Sequence, residues 1–343
     1  MKSLKYKEEI FLSHLQNLFD QKILPDKYYH ILKNFYFSYK KACENTLSEN
    51  ELFTLFETYM ELLKEQFLHP HAFPIFSQKE LTPFNYYQFG IDFMKPLINQ
   101  EKSILHGTVN IQKIEEQIKN NENVILFANH QVESDPQALS VLLGKKHEKL
   151  SSQIIYIAGE RVIKDPVAAV FARGCDILCI YSKKYIENPP EETQIKKHHN
   201  AKVMMTMSSL LTEGGKIIYV ALSGGRDRMQ SDGSIKMAPF DPNNLEMFHL
   251  MAKRSGIKTH FYPLSLYTYY MLPPPEKTEI EIGEVREANR AKIGIAFGEE
   301  IDLDSFDQNV SLSKQEKRRQ KTEILQNLVE KAYQKLIQES EQL

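Results

Sequence analysis

The chain has 343 residues, 42% of them hydrophobic, enough to bury a full-sized core as one large domain or two unequal ones. Lys and Arg number 43 against 45 Asp and Glu, for a formal net charge of -2, which excludes the global basic field of a nucleic-acid binder and makes any anion site a local one. Cys43, Cys175 and Cys179 are too few and too irregularly spaced for a disulfide framework or a zinc site, and are expected as reduced core residues of a cytoplasm-like compartment.

The first stretch, MKSLKYKEEIFLSHLQNLF, lacks the apolar run of a signal peptide, and its glutamates argue against an organelle transit peptide. No segment approaches the ~18 consecutive apolar residues of a membrane span, so a lipid substrate is expected to be met from the aqueous side. Residues 1 to about 68 read as helix. Leu24, Tyr28, Ile31, Leu32, Phe35 and Tyr39 recur at intervals of three and four and mark one helical face. Ser48 and Glu51 have capping-box spacing, with Leu47 and Leu52 placed for a hydrophobic staple, and that face continues through Leu55, Phe56, Tyr59, Leu63 and Phe67. These helices are read as a bundle over residues 1–80.

In HPHAFPIFSQKELTPFNYY, three prolines (Pro70, Pro74 and Pro83) break the period and suggest a linker, with a boundary near residue 80. Beyond it, apolar runs at 123 to 129, 154 to 158, 176 to 181, 216 to 222 and 259 to 267 alternate with helical stretches. That rhythm predicts an α/β domain over 81–343, built on a mixed, largely parallel sheet with helices on both faces and closed by a charged helix from Ser311. The segment PPPEKTEIEIG reads as a rigid loop.

Three strand ends carry chemistry. NHQVESDP puts His130 at the end of a strand and Asp135 at the start of a helix, where ligands gather in open α/β sheets. A carboxylate on one ring nitrogen fixes the tautomer and leaves the other nitrogen to take a proton, although on spacing alone Asp135 could equally be a plain helix cap. LSGGRDRMQSDG follows another strand, and Gly224 and Gly225 allow a sharp turn beneath Arg226 and Arg228. An arginine pair suits a phosphate dianion, while the intervening Asp227 leaves open a local salt-bridged turn. CIYSKKYI places Lys183 and Lys184 after a third strand, so the three ends would meet on one side of a parallel sheet. His198 and His199 have no metal-ligand spacing around them and read as surface residues.

Together, NHQVESDP, AGERVIKDP, CIYSKKYI, SGGRDR and PFNYYQFGIDFMKPLI resemble the soluble glycerol-3-phosphate 1-acyltransferases of plant plastids and chlamydia-type bacteria, from about residue 80 to 290. The resemblance implies a catalytic pair at His130 and Asp135, and a glycerol 3-phosphate pocket lined by Lys184, Arg226 and Arg228, with Lys183 and Tyr185 as further candidates. Tyr185 stands where the plant pattern has histidine, so one phosphate ligand is exchanged for a phenol or is dispensable. The implied reaction moves a fatty acyl group from an acyl carrier protein or coenzyme A to the sn-1 hydroxyl of glycerol 3-phosphate, without metal or redox cofactor. Carrier proteins are acidic, so a basic surface including Lys196 and Lys197 is expected near the pocket. Two alternatives stay open at this point: acylation of lysophosphatidate at its second hydroxyl, and a non-enzymatic phospholipid or carrier-protein binding module. A transient contact with a membrane surface is compatible with each.

Overall fold

The computed structural model describes residues 2–275, 282–308 and 312–343. It opens with α1 (Lys2–Asp20), α2 (Asp26–Ala42) and α3 (Glu49–Leu68). Pro25, with φ at -65°, sets the extended entry to α2. Ser48 and Glu51 close the expected capping box on α3, each side chain reaching the other's backbone N–H, and Leu47 and Leu52 both join the core that the helices share. That core is aromatic. Phe35, Tyr39, Phe56 and Tyr59 converge on Phe93 of α4 (Tyr86–Met94), the Tyr39 and Phe93 centroids lying 4.9 Å apart. The same cluster takes in Val132, Ala138 and Val170, and Tyr59 Oη donates to the Val167 carbonyl at 3.1 Å, so the bundle packs directly onto the later chain.

One sheet holds β1 (Phe76–Ser77), β2 (Ile104–His106), β3 (Asn123–Ala128), β4 (Ile154–Gly159), β5 (Asp176–Ile180), β6 (Ile217–Ala221), β9 (Thr259–Tyr267) and β10 (Gly294–Phe297); β7 (Arg228–Met229) and β8 (Ile235–Lys236) form a separate hairpin. Its order is β1-β5-β4-β6-β3-β9-β10-β2. The five strands from β5 to β9 run parallel, while β1 joins β5 and β10 joins β9 antiparallel. Alternation along the strands sorts their side chains between two cores. Val124, Leu126 and Ala128 face one side with Tyr219 and Leu264, covered by α5 (Thr108–Lys119), α6 (Asp135–Leu143), α7 (Glu148–Ser152), α8 (Glu160–Lys164) and α9 (Pro166–Ala172). Ile125 and Phe127 face the other with Ile218 and Phe261, covered by α10 (Thr193–Glu213), α11 (Pro242–Ser255) and α12 (Lys314–Gln342).

Every strand expected from the apolar runs is present, and the sheet is mixed and largely parallel with helices on both faces. Within the proline-rich segment, Phe76 and Ser77 extend the sheet by pairing with Leu178 and Ile177, which an edge position permits despite the nearby prolines. The closing helix begins at Lys314 behind a second capping box, Ser313 with Glu316, while Ser311 and most of PPPEKTEIEIG lie outside the described residues. All three cysteines are free and buried; Cys175 immediately precedes β5, and burial pushes its thiol and that of Cys179 up to about 12 and that of Cys43 up to about 11. His198 is exposed as expected. His199 is only half-buried: its ring stacks on Phe73 at 5.0 Å and its Nε2 lies 2.8 Å from the Cys179 carbonyl.

Candidate functional site

Parallel pairing brings the carboxyl ends of β3, β4, β5, β6 and β9 to one edge of the sheet, the edge where such folds bind ligands. The turn after β3 is held from every side. Buried Asn129 replaces a rung of the ladder to β9, accepting from Leu266 N at 2.8 Å and donating to Leu266 O at 2.9 Å, and its own carbonyl accepts from Tyr219 Oη at 2.8 Å. Gln131 Oε1 accepts from Thr268 N and Tyr269 N at 2.7 and 2.9 Å. Between these two buried amides stands His130, its carbonyl accepting from Asp227 N at 2.7 Å.

Asp135 opens α6 and is 2% exposed. Its Oδ2 lies 2.8 Å from His130 Nδ1 and accepts from the backbone of Gln131 and Val132 at 2.9 and 3.3 Å; its Oδ1 accepts from Thr268 Oγ1 at 2.6 Å. With a carboxylate on Nδ1, the neutral imidazole carries its proton there and leaves Nε2 as the acceptor. His130 is 26% exposed, so that face is reachable.

In the SGGRDR turn, Asp227 points inward and is fully buried, accepting from Asn129 Nδ2 at 2.9 Å, Gln131 Nε2 at 3.1 Å and Ala238 N at 2.9 Å. It therefore takes no part in a salt-bridged turn with its arginine neighbours. Burial pushes its carboxyl above the usual range against the pull of those donors. Arg226 donates from Nη2 to both oxygens of Glu284, at 2.8 and 2.6 Å, and its Nη1 lies 3.8 Å from Glu133. Arg228 donates to the Pro275 carbonyl at 2.6 Å; burial, and then Arg226 beside it, hold its guanidinium below the ordinary value.

The lysines part company. Lys183 Nζ is taken up at the start of α11 by Asn244 Oδ1 at 2.6 Å and Asp241 Oδ2 at 3.2 Å. Lys184 is exposed, 5.3 Å from the Tyr185 ring centroid, with no carboxylate partner among the described residues. Lys196 corrects the expectation of a basic surface: it is 4% exposed and reaches the Asn188 carbonyl and Glu192, which leaves Lys197 as the exposed member of that pair.

The site also holds charges that the sequence reading missed. Arg286 donates to Glu133 Oε2 from Nε at 2.9 Å and from Nη2 at 2.8 Å, to Asp165 Oδ2 at 2.8 Å and to the Glu284 carbonyl at 2.9 Å. Arg161 lies 3.6 Å from Glu284. Burial works against Glu133 as an anion, but Arg286 and Arg226 outweigh it and keep the carboxyl below its usual range. Arg161 and Asp165 sit in AGERVIKDP and Glu133 inside NHQVESDP, so position relative to a motif was their only signal; GEVRE, with Glu284 and Arg286, reads as a solvated charge run. Among the described residues no group of three or more His, Cys, Asp or Glu side chains is arranged to hold a metal ion.

Residues 108–267, from α5 through β9, match a family model described as Acyltransferase. A protein named glycerol-3-phosphate acyltransferase ATS11, chloroplastic, from Cucurbita moschata is 32% identical over 303 residues, which make up 87% of this chain and 68% of that protein. The chain belongs to the glycerol-3-phosphate acyltransferase family. Other relatives named glycerol-3-phosphate acyltransferase, chloroplastic, come from Carthamus tinctorius, 33% identical over 86% of this chain and 65% of its own length, and from Spinacia oleracea, 38% identical over 68% and 49%. The chain thus spans between about half and two thirds of the length of these curated relatives. Within the family match lie His130, Asp135, Lys183, Lys184, Tyr185, Arg226 and Arg228; Glu284 and Arg286 lie beyond it.

Proposed function

We propose that this chain transfers a fatty acyl group from a thioester to the sn-1 hydroxyl of glycerol 3-phosphate, releasing the thiol and 1-acylglycerol 3-phosphate. The observation that carries the reading is the 2.8 Å contact of His130 Nδ1 with Asp135, made at the carboxyl edge of the sheet in a chain of this family. His130 Nε2 takes the hydroxyl proton as the oxygen attacks the thioester carbon; the tetrahedral oxyanion collapses, the carbon–sulfur bond breaks, and the imidazolium returns the proton to the departing thiolate. Asp135 keeps the ring in its tautomer and stabilises the imidazolium. The thioester supplies the activation, so the step requires no metal or redox cofactor.

In this reading Arg226, Arg228 and Lys184 hold the acceptor phosphate, with Tyr185 as a hydroxyl donor; Lys183 joins them only by leaving Asp241 and Asn244. The acyl donor is carried by an acidic carrier protein or by coenzyme A, and the outward side of α10, with exposed Ile195, Lys197, Lys202 and Met205, is the surface whose charge and apolar character suit the carrier. We take the protein to be cytoplasmic, touching a membrane surface at most in passing: among the described residues no helix is long and apolar enough to cross a membrane, although the relatives named above are called chloroplastic. We keep residues 1–80 and 81–343 as two units, packed on each other through the shared aromatic core.

The test is to incubate purified protein with labelled glycerol 3-phosphate and either acyl donor and to identify the product. Label in 1-acylglycerol 3-phosphate is the expected result. Label only in the product of a lysophosphatidate acceptor, or none with any acceptor, sinks the reading.

A further inference from the structure

Arg226 is a guanidinium only half committed. Both oxygens of Glu284 lie on one nitrogen, Nη2, while Nη1 is 3.8 Å from Glu133, so neither Nη1 nor Nε has a hydrogen-bond acceptor among the described residues. The side chains are 13% and 4% exposed, so the pair is largely removed from water. Such a pair adds little net stability over apolar packing, because desolvation offsets its attraction; what it does supply is a fixed direction.

Glu284 is itself anchored. Its carbonyl accepts from Arg286 Nη1 at 2.9 Å, and Arg286 holds Glu133 in the turn that carries His130 and Asp165 at the start of α9. Arg226 arrives from a different strand end, after β6, behind a glycine pair at which an added Cβ would meet nothing within 4 Å. Through Glu284 it is held in the same frame as the histidine.

We infer that Glu284 is a positioning residue for the acceptor: it grips Nη2 of Arg226 and so sets the direction of the remaining N–H groups, which receive the phosphate. This rests on the glycerol 3-phosphate reading above. The carboxylate touches no reacting atom; it acts through the guanidinium, and its loss is felt as misdirected binding.

A double-mutant cycle between Glu284 and Arg226 tests it, using calorimetric binding of glycerol 3-phosphate together with steady-state kinetics. Glu284→Gln is expected to weaken acceptor binding and raise the acceptor KM about ten-fold, the scale of one charge-assisted hydrogen bond, with the acyl-donor KM and kcat at saturating acceptor within about two-fold. In an Arg226→Ala background, the same change is expected to cost nothing further. Should Glu284→Gln fail to fold, Glu284→Asp, which keeps the charge and withdraws it by one methylene, carries the same cycle. Multiplicative effects in the double variant, or a fall in kcat with both KM values displaced together, would overturn the inference while leaving the acyltransferase reading standing. A wild type that neither binds nor acylates glycerol 3-phosphate fells both, and that outcome is visible before any variant is made.

Discussion

His130 and Asp135 are five residues apart on one turn, so their pairing is a local event that spacing can anticipate. Arg226 and Glu284 are 58 residues apart on separate loops and meet only because parallel strands end at one edge, which no local pattern records. The two cases set different expectations. His130→Ala removes the proton acceptor and leaves the phosphate contacts alone; turnover should fall at least ~100-fold while calorimetry finds glycerol 3-phosphate binding nearly unchanged. A folded variant with near wild-type turnover would remove His130 from the mechanism. Arg228 lies beside Arg226 with one nitrogen on a backbone carbonyl. Replacing it with alanine should raise the acceptor KM by roughly ten- to a hundred-fold, with lysine restoring only part, because a point charge cannot reproduce the fork. Wild-type acceptor constants in both variants would assign Arg228 to the fold instead.

At the scale of elements, long buried strands announced themselves and short ones did not. β3 is buried along its whole length, and a strand covered on both faces reads as a continuous apolar run. β1 and the β7–β8 hairpin have two residues per strand and β2 has three, too few for any period, and β10 has only four. Helix starts were legible where a side chain closes them: Ser48 with Glu51 could be recognised from spacing alone. Ser313 with Glu316 has the same form at the head of α12, whose Leu325, Val329 and Tyr333 cover one face of the sheet. Ser313→Ala should therefore cost about 1 kcal/mol in urea unfolding with an unchanged slope. A change within error would mean that packing alone fixes where α12 begins.

For the molecule as a whole, part of the response to acid lies away from the site. At the opposite ends of β3 and β9, His260 is 4% exposed between Glu300 at 2.5 Å from Nδ1 and Glu122 at 2.7 Å from Nε2, with Lys113 2.7 Å from Glu300 and Lys258 3.4 Å from Glu122. Burial alone would raise the Glu300 carboxyl, but His260 and Lys113 overcome it and bring it down to about 2. A carboxylate so depressed stabilises the fold fully above its ordinary value of 4.5 and loses that contribution as pH falls toward 2. Melting temperatures of wild type and Glu300→Gln should thus lie furthest apart above pH 4.5 and converge in acid. A gap constant with pH would show that shape, and not charge, is what Glu300 contributes.

β3 is paired to β6 on one side and β9 on the other from Val124 to Ala128, and the turn beyond it is fastened to both neighbours by Asn129 and Gln131. Amides there can meet deuterated solvent only when the centre of the sheet parts. Uptake across residues 124–131 should accordingly be among the slowest in the chain, with an opening free energy close to that of global unfolding. Heat would then extinguish activity and sheet signal together, in one transition, with no inactive but folded stage between them. Early isotope uptake in that stretch, ahead of the sheet, would reveal a turn able to loosen by itself.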